Sequence, residues 1–574
     1  MFFRITKLPL FTTKTNQTMS SEAKSTKSTS PASDAGTFLS CLIEILVLLV
    51  AMYWMHGTPT PEVNEPHYLA KAKHFWNQAW CEHDMFLASP DVHYVFEYAF
   101  GWLTLYFPLP VVAWIGRGIA WTTLAASWCY LARAIVPRFG ATAVSGLLLL
   151  LGVKHFHLAG EWLVGGIEAK CFSFPLVILG IGLFLKDRWV WANVALGVAT
   201  AMHVLTGGWA YLALFATCLA TGGIKNSERF ALGIILAGLF AAVGIVPALL
   251  GTAEKPTDKK QKPAFTAHEV YVYQRLPHHL VLRDMATERK ERFGILTAAW
   301  MILTPLSLLA ASRKTNSTKA VSVSRISRFQ VIVAMTLIIA LGGAALDQYS
   351  RVNPPAAASF LRFYWFRASD IFVPAGVAIS AVTLATYAFN SLAPSRVALA
   401  VIFLGAGYFA IVDGQAEHRF NVPRADAAVI PHDKTPENSR SATHANWVRV
   451  CEWIEQNTPK NVVIWSARRQ QSFKWHAQRA EVHNYKDIPQ DPAGLLEWRD
   501  RLEVVREVAR RGGLWHFSRE ELLELQKKYG FHYIVVYKSG LNKPLPFELV
   551  YPPAGEENRH YEVYQLPPLA EAKP

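Results

Sequence analysis

The sequence predicts a mainly α-helical protein, a polytopic membrane helical bundle of about eleven spans followed by a small carboxyl-terminal extramembrane α/β domain. Three observations predict it. Of 574 residues, 52% are hydrophobic and only 17% charged, too apolar for a soluble chain of this length. The apolar residues come in separate runs with short polar connections between them. After Asp413 those runs shorten and charge rises, as in a domain outside the bilayer.

Taken in order, residues 1–36 are rich in Ser, Thr and Lys and lack an apolar core, so they read as a disordered basic cytoplasmic tail and not as a cleavable signal. The transmembrane region covers residues 37–415. Its first apolar run, Thr37–Trp54, is interrupted only by Glu44. Further spans are expected near Pro108–Leu131, Ala141–Val153, Cys171–Leu185, Val190–Leu205, Trp209–Thr221, Phe230–Leu250, Phe293–Ala311, Val331–Ala345, Ile371–Phe389 and Val397–Val412. Several are short of the ~20 residues that a crossing takes. In the extracytoplasmic α/β domain, residues 440–570, helices are expected over Asn446–Gln456, Leu495–Arg511 and Arg519–Tyr529. Strands are expected over Val462–Trp465, Tyr533–Tyr537 and Tyr561–Tyr564.

Charge orients the chain. Arg133 and Arg138, Lys186 and Arg188, Lys225 and Arg229, the group from Arg313 to Arg328, and Arg396 fall in alternate connections with few acids, which puts those connections and the amino end in the cytoplasm. An odd number of spans then leaves the carboxyl domain outside. The exception is residues 252–292, a long external loop rich in Lys, Arg and His, which suggests an anionic partner. The net charge of +14 is dispersed over membrane loops, so no nucleic acid is implied. No Walker loop or GxGxxG is present, and Ser466, His483 and Asp487 lack the Gly-x-Ser-x-Gly elbow of a hydrolase. Six scattered cysteines without a CxxC pair read as buried hydrophobes. His155, His157, His268, His278 and His279 have no spacing that supports a metal site.

The first external loop, residues 57–107, carries the densest chemistry. It runs through Asn64-Glu65-Pro66-His67-Tyr68, an amphipathic stretch, and Pro90-Asp91-Val92-His93-Tyr94 into an aromatic helix. Ala113-Trp-Ile-Gly-Arg117 and Tyr130-Leu-Ala-Arg133 follow. Its aromatics Trp76, Trp80, Phe86, Tyr94, Phe96, Tyr98, Phe100, Trp102 and Tyr106 are expected to form a belt at the membrane interface. This layout resembles the amino-terminal half of the GT-C class of membrane glycosyltransferases, similar to protein O-mannosyltransferases and lipid A aminoarabinose transferases. The resemblance extends through Gly165-Gly-Ile-Glu168-Ala-Lys170, Lys186-Asp-Arg188-Trp, Ala201-Met-His203 and Arg362-Phe-Tyr364-Trp-Phe-Arg367. Two departures stand out: Asn precedes Glu65, and Asp91-Val replaces the usual Pro-Pro. Lys474-Trp, Tyr485-Lys-Asp and Trp498 also resemble a pattern in uncharacterised bacterial multi-pass membrane proteins.

The resemblance implies transfer of a sugar from a polyprenyl-phosphate donor to an extracytoplasmic acceptor, at a bacterial cytoplasmic membrane. Such transfer needs a base for the acceptor proton and a cationic setting for the departing phosphate. Glu65 is the candidate base, since partial desolvation makes a carboxylate a better one. Asp84 and Asp91 are further acidic candidates, for the acceptor or a divalent metal; no motif requires a cofactor. Arg362 and Arg367, with Tyr364, Lys170, Glu168, Arg117 and His93, are candidates for the lipid phosphate and substrate, Arg being favoured for its fork of donors. Arg275 and Arg283 stand behind them. Glu161 and Glu168 flank a Gly pair, and acids at membrane depth are functional candidates by default. The partners implied are membrane lipid, the donor and an acceptor of unknown identity. A catalytically silent protein that binds lipid or a partner remains an alternative. A transporter is a poorer one, since no paired halves are visible.

Overall fold

The computed structural model describes residues 31–221, 227–253, 264–313, 317–389, 391–418, 421–427, 437–466, 471–538 and 543–569. Most of the expected amino-terminal tail thus lies outside the described residues, and helix begins at Pro31. From Ile43 onward the described residues belong to one compact unit, distinct from the chain up to Leu42.

The helices in order are α1 (Pro31–His56), α2 (Glu65–Trp76), α3 (Tyr94–Gly101), α4 (Leu109–Ile135), α5 (Ala141–His155), α6 (Ala169–Leu185), α7 (Trp189–Met202), α8 (Val204–Ala220) and α9 (Ser227–Thr252). After a stretch of short turns come α10 (Thr287–Ser312), α11 (Ser317–Tyr349), α12 (Pro354–Leu361), α13 (Arg367–Tyr387) and α14 (Leu392–His418). Ten of the eleven apolar runs fall on one helix each, and Val190–Leu205 covers α7 and crosses His203 into the start of α8. Among the described residues seven helices, α1, α4, α9, α10, α11, α13 and α14, contain segments long and apolar enough to cross a membrane. The other four, α5 to α8, are apolar but have only 14–17 residues. At 1.5 Å per residue, α7 is about 21 Å long, less than the ~30 Å of a hydrocarbon core. The eleven expected spans are therefore seven long helices and four short ones in a polytopic bundle.

Local chemistry sets several boundaries. Pro66 and Pro110 stand in the first turns of α2 and α4, where a missing N–H breaks no bond. α7 and α8 are divided at His203, whose extended backbone ends one helix while its Nδ1 accepts the Thr206 N–H (3.2 Å) to cap the next. Glu44, the acid inside the first apolar run, pairs with Arg133 at 2.5 Å and accepts the Ala143 N–H. α13 is the most buried of the long helices, with most of its apolar length covered by neighbouring chain.

The carboxyl-terminal part contains α15 (Glu437–Asn457), β1 (Val463–Trp465), α16 (Phe473–Ala477), β2 (Ala480–Glu481), α17 (Pro492–Arg510), α18 (Arg519–Tyr529), β3 (Phe531–Tyr537), β4 (Glu548–Tyr551) and β5 (Tyr561–Gln565). The sheet order is β2-β1-β3-β5-β4, with β1 parallel to β2 and β3, and β5 antiparallel to β3 and β4. α18 has the expected limits because both its ends are written in sequence: a Ser518–Glu521 capping box and Gly530 in the left-handed region. The sequence gives no sign of α16, β2 or β4.

Tyr533 and Val535 pack on one face of the sheet with Trp447 and Ile454 of α15. Ile534 and Val536 pack on the other, in a core that includes Ala70, Cys81, Phe86 and Leu87 of the first loop. The loop and the sheet are thus sealed together by apolar burial. This also revises the aromatic belt. Tyr98, Trp102 and Tyr106 are exposed, but Phe86, Phe96 and Phe100 are core residues, and Phe100 stacks on Phe172 with centroids 4.3 Å apart.

Candidate functional site

A cavity of about 780 Å³ lies where the first loop, residues 157–170, the 268–279 turns, residues 362–367 and the chain after β2 converge. One wall is apolar, built from Leu150 and Val153 of α5, Val204 and Leu205 of α8, and Ile245, Ala248 and Leu249 of α9. The remainder is strongly charged. Of the residues singled out from sequence, His93, Glu161, Glu168, Lys170, Arg275, Arg362, Tyr364 and Arg367 line it; Glu65, Asp84, Asp91, Arg117 and Arg283 do not.

Glu65 opens α2 but is fully buried. Arg117 Nε and Nη2 donate to its two oxygens, each at 2.7 Å. The backbone N–H groups of Glu62 (2.7 Å) and Ile167 (3.1 Å) also donate to it. With both oxygens so engaged, Glu65 has no lone pair directed at a substrate. It holds instead the turn that presents Glu168. Gly166 makes this close approach workable, because a Cβ there would lie 2.7 Å from the Glu62 Cβ and 2.8 Å from the Glu65 Cγ.

Above that anchor runs a chain of paired charges. Arg367 Nε meets Glu161 Oε2 at 2.5 Å, Lys170 pairs with Glu161 and with Glu168 Oε1 (2.8 Å), and Asn64 Nδ2 donates to Glu168 Oε2 (2.8 Å). Burial alone would raise the Glu161 pKa, but Arg367 and Lys170 bring it below the ordinary value. The guanidinium of Arg367 also lies 4.1 Å from the Tyr364 ring centroid. Asp370, one turn into α13, fixes the strand of chain carrying Glu161 by accepting the N–H groups of Leu158 (2.7 Å), Ala159 (2.9 Å) and Glu161 (3.1 Å).

Two further cations face the cavity. Arg275, in the π-helical turn Val270–Arg275, donates from Nε to the Tyr485 carbonyl (3.0 Å) and lies over the Tyr485 ring. Lys486 follows from the carboxyl-terminal part. Among the described residues neither makes an ion pair with a carboxylate. Burial, with Arg275 adding to it, lowers the Lys486 pKa to about 8. The site therefore holds positive charge not offset by direct pairing, which suits an anion. Arg362 lines the same cavity beside His268. Arg283 is turned away to Asp347 and Ser350.

Asp84 and Asp91 are engaged away from the cavity lining. Asp84 accepts the N–H groups of Phe86 and Leu87 (both 3.1 Å) and that of Glu481 (3.2 Å), and pairs with Lys474 at 3.1 Å. Buried Lys474 also meets Glu481 (2.9 Å) and Asp487 (2.7 Å). Burial opposes its charge, but the three carboxylates win and raise its pKa well above the ordinary value. Asp91 pairs with Lys71 at 3.2 Å. His93 is kept neutral by burial, its pKa lowered to about 3, and its Nε2 lies 3.5 Å from the Tyr68 hydroxyl. Ser466 donates to Glu481, not toward Asp487. Among the described residues, no three His, Cys, Asp or Glu side chains converge as a metal site.

Asn64, His67, Tyr68 and Lys486 are lining residues that sequence reasoning did not single out for a role. The only signal for them was position: three flank Glu65, and Lys486 lies inside the Tyr485-Lys-Asp pattern.

Three comparisons complete the description. Residues 445–505 match a family model described as a domain of unknown function, DUF6798. No curated protein matches the chain. Among solved structures, ArnT from Cupriavidus metallidurans in the apo state is similar at 14% identity, with 93% of this chain and 98% of that one covered and a TM-score of 0.40. The same protein bound to undecaprenyl phosphate is similar at 14% identity, 92% and 98% coverage and a TM-score of 0.42.

Proposed function

We propose that this chain is a membrane glycosyltransferase of the GT-C kind, moving a sugar from a polyprenyl-phosphate donor to an acceptor on the outer side of a bacterial cytoplasmic membrane. The observation that carries the reading is Arg275 and Lys486, cations without a carboxylate partner among the described residues, in a cavity whose other wall is apolar membrane helix. A phosphate fits the first feature and a prenyl chain the second. The paired Glu161 and Glu168 lie on the same cavity. They accept hydrogen bonds from sugar hydroxyls and offset the positive charge that develops at the anomeric carbon as its bond to phosphate breaks. Glu65, closed off beneath Arg117, positions Glu168 and takes no proton.

The test is reconstitution of the full chain in lipid nanodiscs with undecaprenyl phosphate carrying 14C-labelled sugars. Transfer or hydrolysis is expected with at least one donor, with loss in Arg275→Gln at unchanged thermal stability. Failure of every donor, together with no binding of undecaprenyl phosphate itself, overturns the reading.

A further inference from the structure

His67 lies on the cavity wall two residues after Glu65, and the carboxyl-terminal part reaches it. Its Nδ1 is 3.0 Å from Asp487 Oδ1, a contact between residues 420 positions apart. The His67 side chain is 17% exposed and that of Asp487 only 3%. The ring is clamped in place, stacked on Phe86 with centroids 4.4 Å apart and with Tyr68 at its edge. Asp487 also accepts from Lys474 at 2.7 Å, so it is an anion; burial would raise its pKa, but Lys474 and His67 bring it below the ordinary carboxylate range. A carboxylate only accepts, so the nitrogen facing it carries the proton. Nε2 is then the ring's lone pair. Among the described residues no hydrogen bond occupies it.

We propose that His67, held in this tautomer by Asp487, is the general base that deprotonates the acceptor at the cavity. The proposal rests on the transferase reading and names a catalytic residue within it. In the step, His67 Nε2 takes the proton of an acceptor hydroxyl, whose oxygen forms the new bond to the anomeric carbon. The anomeric carbon–oxygen bond to phosphate breaks, and its electron pair leaves on the phosphate oxygen, toward Arg275 and Lys486. The proton on His67 passes to the released phosphate. Asp487 is a positioning residue: it fixes the tautomer and stabilises the imidazolium formed during transfer. Burial lowers the His67 pKa, Asp487 opposes this, and Lys486 and Arg275 add to the lowering, so the ring is neutral and able to accept at neutral pH. Glu161 and Glu168, already ion-paired, are weaker competitors for the proton.

The test measures transfer by the full chain in nanodiscs, with undecaprenyl phosphate carrying a 14C-labelled sugar, for wild type, His67→Ala, His67→Gln and Asp487→Asn. The base role predicts a kcat about 10²- to 10⁴-fold lower in both His67 variants with donor KM little changed. It also predicts partial recovery of His67→Ala by imidazole in the buffer, which a merely misfolded protein does not show. In Asp487→Asn, the acid limb of the pH–rate profile moves to lower pH, because the carboxylate that favours the protonated ring is gone. Wild-type rates in His67→Gln, or an inactive His67→Ala that imidazole does not restore, overturn the base and leave the transferase reading standing. Absence of turnover in wild type overturns the base, and together with no binding of undecaprenyl phosphate it overturns the transferase reading as well.

Discussion

Glu65 accepts from Arg117 and from two backbone N–H groups, and this decides what can be expected of it. Removing one partner of a buried ion pair costs about 3–5 kcal/mol, because the other charge stays behind unpaired. Glu65→Gln should therefore lower the thermal unfolding midpoint of the detergent-purified protein clearly, with activity falling only as Glu168 loses its support. A stable but inactive Glu65→Gln would return the catalytic role to Glu65. Lys486 gives a pH dependence with the opposite origin. Its folded pKa of about 8 lies below the unfolded value of 10.5, so the folded state resists the proton. Stability from this group is present above the unfolded pKa and is lost as pH falls through about 8, unless an anion is bound. Titration calorimetry with undecaprenyl phosphate should accordingly show affinity weakening as pH rises through about 8. Lys486→Met should remove that dependence. From sequence alone, both residues were ambiguous: an acid beside a span and a Lys between Tyr and Asp do not reveal which way they face.

At the scale of elements, the site depends on one loop. Residues 157–168 lie against Asp370 at one end and Glu65 at the other, and Gly166 lets them settle onto that second anchor. Gly166→Ala places a methyl inside the contact distance of the Glu62 and Glu65 side chains, where a Cβ next to the main chain and a carboxylate held by Arg117 cannot yield cheaply. Transfer should fall at least as far as in Glu168→Gln, while the helices, followed by circular dichroism, persist. Legibility also varies by element. The long helices were readable because an apolar run is its own signal, and α18 because cap residues mark both ends. β2 has two residues and β4 four, with Glu548 and Leu549 exposed, so neither shows an alternating pattern. The ends of α7 and α8 at His203 were invisible for a different reason: the break is made by one backbone conformation and a cap.

For the molecule as a whole, Lys474 joins Asp84 from the first loop to Glu481 and Asp487 from the sheet region. Lys474→Met would leave three carboxylates buried together, and its destabilisation should reach about 3–5 kcal/mol or more, visible as early loss of tryptophan fluorescence on heating. Acid should act on the same junction. The Asp487 and Asp426 carboxyls are both held below the ordinary range despite burial, Asp426 by His444 and His476. Stability from them is present above that range and is lost as pH falls below about 4, a decline that thermal melts at graded pH would record. The bundle and the α/β elements could be read separately from sequence, but their convergence could not. Pairs such as His67 and Asp487 become neighbours where Phe86 and Leu87 pack on the sheet and Asp84 pairs with Lys474.

That cavity wall contributed by Lys486 and Ile488 has a consequence for how the chain comes into being. Synthesis proceeds from the amino end, so every membrane helix is made before the residues that complete the pocket. A nascent chain still on the ribosome holds the apolar wall and the Glu161–Lys170–Arg367 charges but lacks Lys486 and the partner of His67. Competence therefore arrives late and all at once, and a chain cut short after α14 would be an inserted but inert precursor.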